Sequence, residues 1–401
     1  MKDKADIVVV GGGPCGSYSA LVAASGGAEV LVVEEHMDVG FPSHCAGHIS
    51  IHGLESLEIG VPSHIIENRI KTATFFSPSG KMLRIECEDP VTYVINRALF
   101  DRYLAELAEH AGVSYLTGVR AKSFLIDSGR VRGVSLGEER ESLVEAKVVI
   151  DAEGVNAALL RKANLPYPME RIVTGVQGYS ERVSGVEPES VEVYLGRRYA
   201  PGFFAWIIPR KDGSAKVGLA SNRGNPKVLL ERFIADHPIA SRKIPKSLSS
   251  VSIHPISLGG PLRKTYSEGL IIVGDAASQV KPTTGGGVIF GLMCSRAAGE
   301  TAANSVAAGD YSSRALSEYE KSWKRLLGRE FMIGRATRKI LSSLSDAAVD
   351  RIFQVAKGFN VENSIGSVSE VDFEERILQY CLRKPNVAIA LICSLLSCLL
   401  P

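Results

Sequence analysis

The chain has 401 residues, 45% of them hydrophobic and 22% charged, an ordinary globular composition that excludes a disordered chain, a collagen and a polytopic membrane protein. Its 46 basic and 44 acidic residues leave a formal net charge of +2, which argues for no nucleic-acid footprint. The length asks for one large composite fold or two domains.

Asp6 to Val10 reads as a buried strand, preceded by a charged lead-in that lacks the apolar region and cleavage site of a secretory leader. A glycine loop follows, then a helix from Ser17 to Gly26 and a second strand from Glu29 to Val33. Strand, glycine turn, helix, strand is a βαβ unit. Leu99 to Ala111 has helical spacing, and short strands are expected at 113–116, 123–126, 131–136 and 146–150. Residues 173–221 alternate β-formers and read as an antiparallel sheet. Leu270 to Val273 is another buried strand, a helix starts near Val288, and the pattern is mostly helical from Tyr311 on. The seven cysteines (Cys15, Cys45, Cys87, Cys294, Cys381, Cys393, Cys398) are odd in number and never spaced CxxC. That pattern predicts neither a disulfide framework nor a metal site, and a reducing intracellular compartment. Val387 to Leu400 is an apolar run of about 14 residues, against about 20 for a span. A helix packed on the protein, one lying in the membrane interface, and a span all stay open for it.

Three motifs carry chemistry. Gly11, Gly13 and Gly16 form GxGxxG, with Cys15 inside it and Glu34 about 20 residues on, at the end of the second strand. The glycines allow a tight turn, approach of a pyrophosphate, and close packing of helix on strand. The helix N-terminus attracts phosphate, and Glu34 is placed to accept hydrogen bonds from a ribose diol. The second motif is the strand–Asp–Gly turn from Val149 to Gly154. The third runs from Gly269 through Asp275 and Pro282 to Gly285, Gly286, Gly287 and Val288 at a helix start. A single NAD domain needs no such distant element. FAD does, because the long cofactor is gripped at both ends, and the glycine-rich helix start can stabilise a reduced, anionic ring.

Together these motifs resemble the FAD fold of the aromatic hydroxylases, over roughly the first 310 residues. The resemblance implies Arg97 as a phosphate contact and Ala121 as a backbone contact near adenine. Two further stretches, Pro42 to Ser50 and Pro201 to Pro209, resemble the geranylgeranyl reductase family, especially the archaeal members that saturate digeranylgeranylglycerophospholipids. In that family a Cys-Ala/Gly-Gly segment lies over the flavin, here Cys45, Ala46 and Gly47, followed by His48. A Pro-Gly-Gly-Tyr-x-Trp-x-Phe-Pro strand lines a prenyl tunnel, here with Phe203, Phe204, Trp206 and Ile208. Phe203 stands for a glycine, Phe204 for the tyrosine and Ile208 for a phenylalanine, so the tyrosine hydroxyl is lost or moved while an apolar wall survives. Cys45 or a bound water is the candidate proton donor, and the neighbouring His44 and His48 could also supply a proton.

The expected fold is a composite α/β (α+β) one. Residues 1–60, 92–160 and 258–310 form a Rossmann-like FAD domain, 61–91 and 161–257 an inserted antiparallel-sheet substrate domain, and 311–401 a helical region. The expected activity is FAD-dependent reduction of geranylgeranyl double bonds in a glycerophospholipid precursor, with ferredoxin or NAD(P)H as electron donor. The site is expected at the membrane surface, in the cytoplasm, peripheral to the inner face of the cell membrane. An aromatic hydroxylase or halogenase on the same scaffold, and a non-catalytic prenyl carrier, are the alternatives.

Overall fold

The computed structural model describes residues 4–137, 142–167, 172–362, 372–373, 379 and 383–390. These form two compact units, one of residues 4–43, 97–167 and 257–335, the other of residues 44–96, 172–256 and the described residues from 336 on.

The first unit is built on a sheet with the strand order Tyr266–Ser267, Leu270–Ile272, Ser142–Asp151, Lys4–Val10, Val30–Val33, Ser114–Leu116. All but the first pairing are parallel. Ile7 to Val9, Val30 to Val33 and Val148 to Ile150 are buried, the continuous apolar run expected of parallel strands covered on both faces. Ala121–Asp127 and Arg130–Leu136 extend this sheet as an antiparallel meander off the Ser142–Asp151 strand. The Pro14–Ser25 and Val288–Ala308 helices meet through small residues. A Cβ on Gly299 would lie 2.6 Å from the Ser19 carbonyl, and one on Gly26 2.8 Å from Ala303 Cβ. The start of the long Ser313–Ser343 helix is tied to the same unit. Tyr319 donates to the Ile272 carbonyl at 2.8 Å and Trp323 Nε1 to Thr265 Oγ1 at 3.0 Å.

The second unit holds a seven-stranded sheet in the order Ser249–Ser257, Ile172–Ser180, Ala215–Ser221, Phe204–Pro209, Ser190–Leu195, Thr72–Phe76, Met82–Glu86. One face packs on the Pro226–Asp236 helix through Val176, Tyr194, Ile207, Val217, Leu219 and Phe233. Asn225 starts that helix, its side chain accepting from Lys227 N at 3.0 Å. The strands within residues 172–221 pair antiparallel, as expected; Thr72–Phe76 joins them by running parallel to Ser190–Leu195.

The compact units are also cut differently from the sequence-based boundaries. Residues 44–60 and 92–96 fall in the second unit because His48–Ser50 and Ile66–Ile70 both pair with Thr92–Ile95, making a three-stranded sheet. Residues 311–335 go with the first unit. Residues 385–390 are helical, with Val387 and Ala390 buried against Ala356 and Val361. The rest of the apolar segment, and Cys381, Cys393 and Cys398, lie outside the described residues. Among the described residues no helix is long and apolar enough to cross a membrane.

Candidate functional site

In the first unit the glycine turn is a close backbone crossing. Gly11 sits at φ +95°, and a Cβ there would lie 2.5 Å from the Ala152 carbonyl; one on Gly16 would lie 1.8 Å from the Gly11 carbonyl. Gly13 is the opposite case: a Cβ there meets nothing within 4 Å. It is the N-cap of the Pro14–Ser25 helix, which carries no side-chain cap among the described residues. The first intrahelical bond is Ser17 N to Gly13 O at 2.9 Å, so the N–H groups of Cys15 and Gly16 have no acceptor within the helix.

Glu34 ends the second strand with its carboxylate oriented by the chain around it. Oε2 accepts from Gly12 N at 2.6 Å; Oε1 accepts from His36 N at 2.9 Å and lies 2.7 Å from His36 Nδ1. Residues 118–120 lie beside it: Val119 N donates to Glu34 O at 3.0 Å and Gly118 N to His36 O at 2.9 Å. Glu35, His36, Gly118, Val119, Arg120 and Gly137 line a surface depression here. Half-buried Ala121 opens the next strand, opposite Leu136.

Arg97 forms a bidentate pair with Asp101, Nε to Oδ1 at 3.0 Å and Nη2 to Oδ2 at 3.1 Å. Burial pushes the Asp101 carboxyl up while Arg97 opposes the rise. The same guanidinium acts electrostatically on Asp275, which burial also pushes up, and on Cys15. The Cys15 thiol is pushed up to about 12, chiefly by burial and then by Asp275, so it is a neutral packing group. Its sulfur would be 2.8 Å and 2.5 Å from a Cβ on Gly274 and Gly291. Asp275 lies in the Gly274–Ala277 turn, and a Cβ on Gly287 would come within 2.9 Å of its Oδ1. The chain passes buried Pro282 and turns at Gly285, φ +72°, whose N donates to the Lys281 carbonyl at 2.9 Å; Lys281 N donates to Gly286 O at 3.1 Å. Gly287 is the N-cap of the Val288–Ala308 helix, again without a side-chain cap among the described residues.

These residues fit a dinucleotide. The space at Gly13 is open where a side chain would fill it, two helix starts are left to an anion or carbonyl acceptor, and a carboxylate stands at the strand end.

In the second motif Glu153 N donates to Asp151 Oδ1 at 3.1 Å. Burial and the neighbouring Glu153 push the Asp151 carboxyl up. Glu153 accepts from Leu159 N at 2.9 Å and Leu160 N at 3.3 Å, so Asp151 is the partner that keeps the proton.

In the second unit Gly47 N donates to Cys45 Sγ at 3.4 Å, and His48 Nε2 is 2.6 Å from Thr92 Oγ1. His44 stacks on His254 with ring centroids 5.0 Å apart. Ala46 packs in one apolar cluster with Ile70, Ala73, Val94, Val191, Trp206 and Ile208. Trp206 donates from Nε1 to Gln177 Oε1 at 3.0 Å. Phe203 stacks on Phe204 at 4.1 Å, and Phe204 meets Trp206 edge-on at 6.1 Å. Sequence reasoning singled out these aromatics and Cys45, and it missed Lys216, Glu67, Arg210 and Tyr179, which lie on the same side. The available signal was the lysine that interrupts the apolar run from Ala215 to Ala220.

The model of the FAD binding domain family matches residues 4–326. Digeranylgeranylglycerophospholipid reductase 2 of Methanopyrus kandleri is 32% identical over 95% of this chain and 97% of its own length. The protein of the same name from Methanothermobacter thermautotrophicus is 34% identical over 91% of this chain and 95% of its own. A crystal structure of a geranylgeranyl bacteriochlorophyll reductase-like protein from Thermoplasma acidophilum superposes with a TM-score of 0.87 at 28% identity, covering 98% of this chain and 100% of the other. With a dinucleotide cradle in one unit and this likeness along nearly its whole length, the chain belongs to the FAD binding domain family and, within it, to the digeranylgeranylglycerophospholipid reductases.

Proposed function

We propose that this chain is an FAD-dependent reductase that hydrogenates isolated C=C bonds in the geranylgeranyl chains of archaeal glycerophospholipid precursors. The observation that carries the reading is the apolar wall of the second unit, where Trp206, Ile208 and Ala46 share one cluster and Phe203 and Phe204 stack beside it. A polyisoprenoid chain offers no hydrogen bonds. What holds it is burial, about 0.8 kcal/mol per CH₂. The names of the curated relatives support the same substrate class.

In the first unit we assign Gly11, Gly13, Cys15, Gly16, Glu34, Arg97 and Ala121 to the nucleotide half of FAD, and Asp275, Pro282 and Gly285 to Val288 to the flavin half. Helix-start N–H groups take phosphate oxygens and Glu34 takes the ribose diol. FAD, when bound and reduced, supplies a hydride. An isolated alkene has no carbonyl to take up electron density, so a proton must reach the other carbon. Cys45 Sγ is the atom we assign to hold it, beside a wall that excludes water. Such a substrate resides in a bilayer, which places the enzyme peripherally at the inner face of the cell membrane. A ferredoxin or NAD(P)H meets it there as reductant.

The test is anaerobic. The holoenzyme is reduced with dithionite and given geranylgeranyl lipid, and flavin absorbance is followed together with product mass. Reoxidation with a gain of two hydrogens per event is expected. Flavin that stays reduced until oxygen enters, followed by a hydroxylated product, would move the chain to the hydroxylase branch. Cys45→Ser is expected to slow lipid reduction by about 100-fold or more, in the usual range for a lost proton donor, with flavin content unchanged.

A further inference from the structure

The seven-stranded sheet buries a lysine on the face that carries Trp206 and Ile208. Lys216, in the Ala215–Ser221 strand, is 1% exposed. Tyr179 and Ile208 stand opposite it on the flanking strands. Its Nζ lies 2.6 Å from Glu67 Oε2 and donates to the Ile95 carbonyl at 2.9 Å. Arg210 Nη1 reaches the other Glu67 oxygen at 3.3 Å. A buried ion pair pays desolvation that an apolar pair of the same volume would not. The fold alone gives little reason for charge at this position.

From Lys216 a series of hydrogen bonds leads to Cys45. The Ile95 carbonyl accepts from Lys216, Ile95 N donates to Gly47 O at 2.8 Å, and Gly47 N donates to Cys45 Sγ at 3.4 Å. Gly47 sits at φ +70°, and a Cβ there would lie 2.3 Å from the Ile95 carbonyl and 3.1 Å from Lys216 Nζ. Glycine lets turn, carbonyl and ammonium close up. Lys216 and Arg210 set two positive charges against the one negative charge of Glu67. Asp212, 3.5 Å from Arg210, has a side chain 62% exposed and is screened by solvent. Burial pulls the Lys216 ammonium below its ordinary range; Glu67 is the first group to oppose that, and Cys45, which also acts electrostatically on Tyr179, adds to the opposition.

We propose that Lys216, clamped by Glu67, is a positioning residue for Cys45: it fixes the Cys45–Gly47 turn through Ile95 and sets a buried positive charge that favours the thiolate. This deepens the reading above and rests on its assignment of the proton to Cys45. As the S–H bond breaks and a C–H bond forms on the alkene, with the hydride going to the other carbon, the sulfur is left as an anion. Lys216 stabilises that anion until a proton from water restores the thiol.

The experiment is alkylation of the resting holoenzyme with iodoacetamide at fixed pH, resolved by peptide mass spectrometry, because the thiolate is the reacting species. Lys216→Met is expected to slow labelling of Cys45 about tenfold, the effect of a shift of one pKa unit, while half-buried Cys87 labels at its usual rate. Lys216→Arg is expected to restore most of the Cys45 rate. Lys216→Met is also expected to lower kcat for lipid reduction with little change in KM. An unchanged Cys45 labelling rate in folded Lys216→Met overturns the proposal. Where that variant fails to fold, Glu67→Gln decides: it keeps the ammonium and removes the neutralising charge, so Cys45 must label several-fold faster, and no change or slower labelling overturns the proposal. A Cys45→Ser enzyme that still reduces lipid at full rate would sink the proton assignment while leaving the labelling result to judge Lys216 separately.

Discussion

Gly16 and Gly13 together make the sharpest test of the cofactor cradle. Gly16→Ala puts a Cβ 1.8 Å from the Gly11 carbonyl, against the 3.0 Å below which such contacts essentially never occur. The backbone must yield by more than an ångström, and overpacking of this kind costs about 1–3 kcal/mol. The FAD-free protein is therefore expected to melt several degrees lower, at roughly 2–4 °C per kcal/mol for a compact unit of this size. Gly13→Ala meets nothing within 4 Å, and the residue's φ of −65° suits alanine. Its cost without ligand is the N-cap exchange alone, under about 1 kcal/mol. If the open space at Gly13 is where the pyrophosphate approaches, the new methyl is felt only by FAD. A clash of about 1–3 kcal/mol then weakens binding roughly 5- to 150-fold. The assay pairs thermal melts of the FAD-free proteins with flavin-fluorescence titrations. Gly13→Ala that binds FAD as tightly as the parent would refute the placement, whatever Gly16→Ala does.

Two further outcomes follow from the same unit. Glu34→Gln turns one oxygen, held at 2.6 Å by Gly12 N or at 2.9 Å by His36 N, into a donor facing a donor. That loss is shared by the free and bound states, whereas the charge-assisted bond to the ribose diol, about 1.5–3 kcal/mol, is lost only on binding, so FAD affinity should fall tenfold or more, measured by the same titration; unchanged affinity would remove Glu34 from the ribose. Asp151 has its folded pKa raised by burial and by Glu153, so between its unfolded value near 3.9 and the raised one the folded state holds the extra proton. Stability contributed there is lost as pH rises through that window. Asp151→Asn should therefore gain on the parent in urea midpoint between pH 5 and pH 8, and a variant that loses ground at pH 8 would contradict the protonated Asp151.

The local elements were legible because their causes are local. Continuous valine and isoleucine runs mark strands buried on both faces, and Gly11 and Gly16 mark a turn that a side chain would obstruct. Arg97 was singled out from the sequence, but its bidentate partner Asp101, one helical turn on, was not, although the spacing was in view. The antiparallel pairing within residues 172–221 was legible, but the parallel pairing of Ser190–Leu195 was not, because its partner, Thr72–Phe76, lies more than a hundred residues earlier in the chain. No periodicity in one segment reports which distant segment it will pair with.

By itself the amino-acid sequence determined the FAD fold, the glycine turn with its acid, and the aromatic strand from Phe203 to Ile208, since each is set by residue type and spacing within a short stretch. Tertiary structure alone decided that Glu67, Lys216, Ile95 and Gly47 join in one series of contacts that ends at Cys45. Those residues come from four separate segments. Burial, which makes a charge and a hydrogen bond count, is a property of where segments meet and is written in none of them singly.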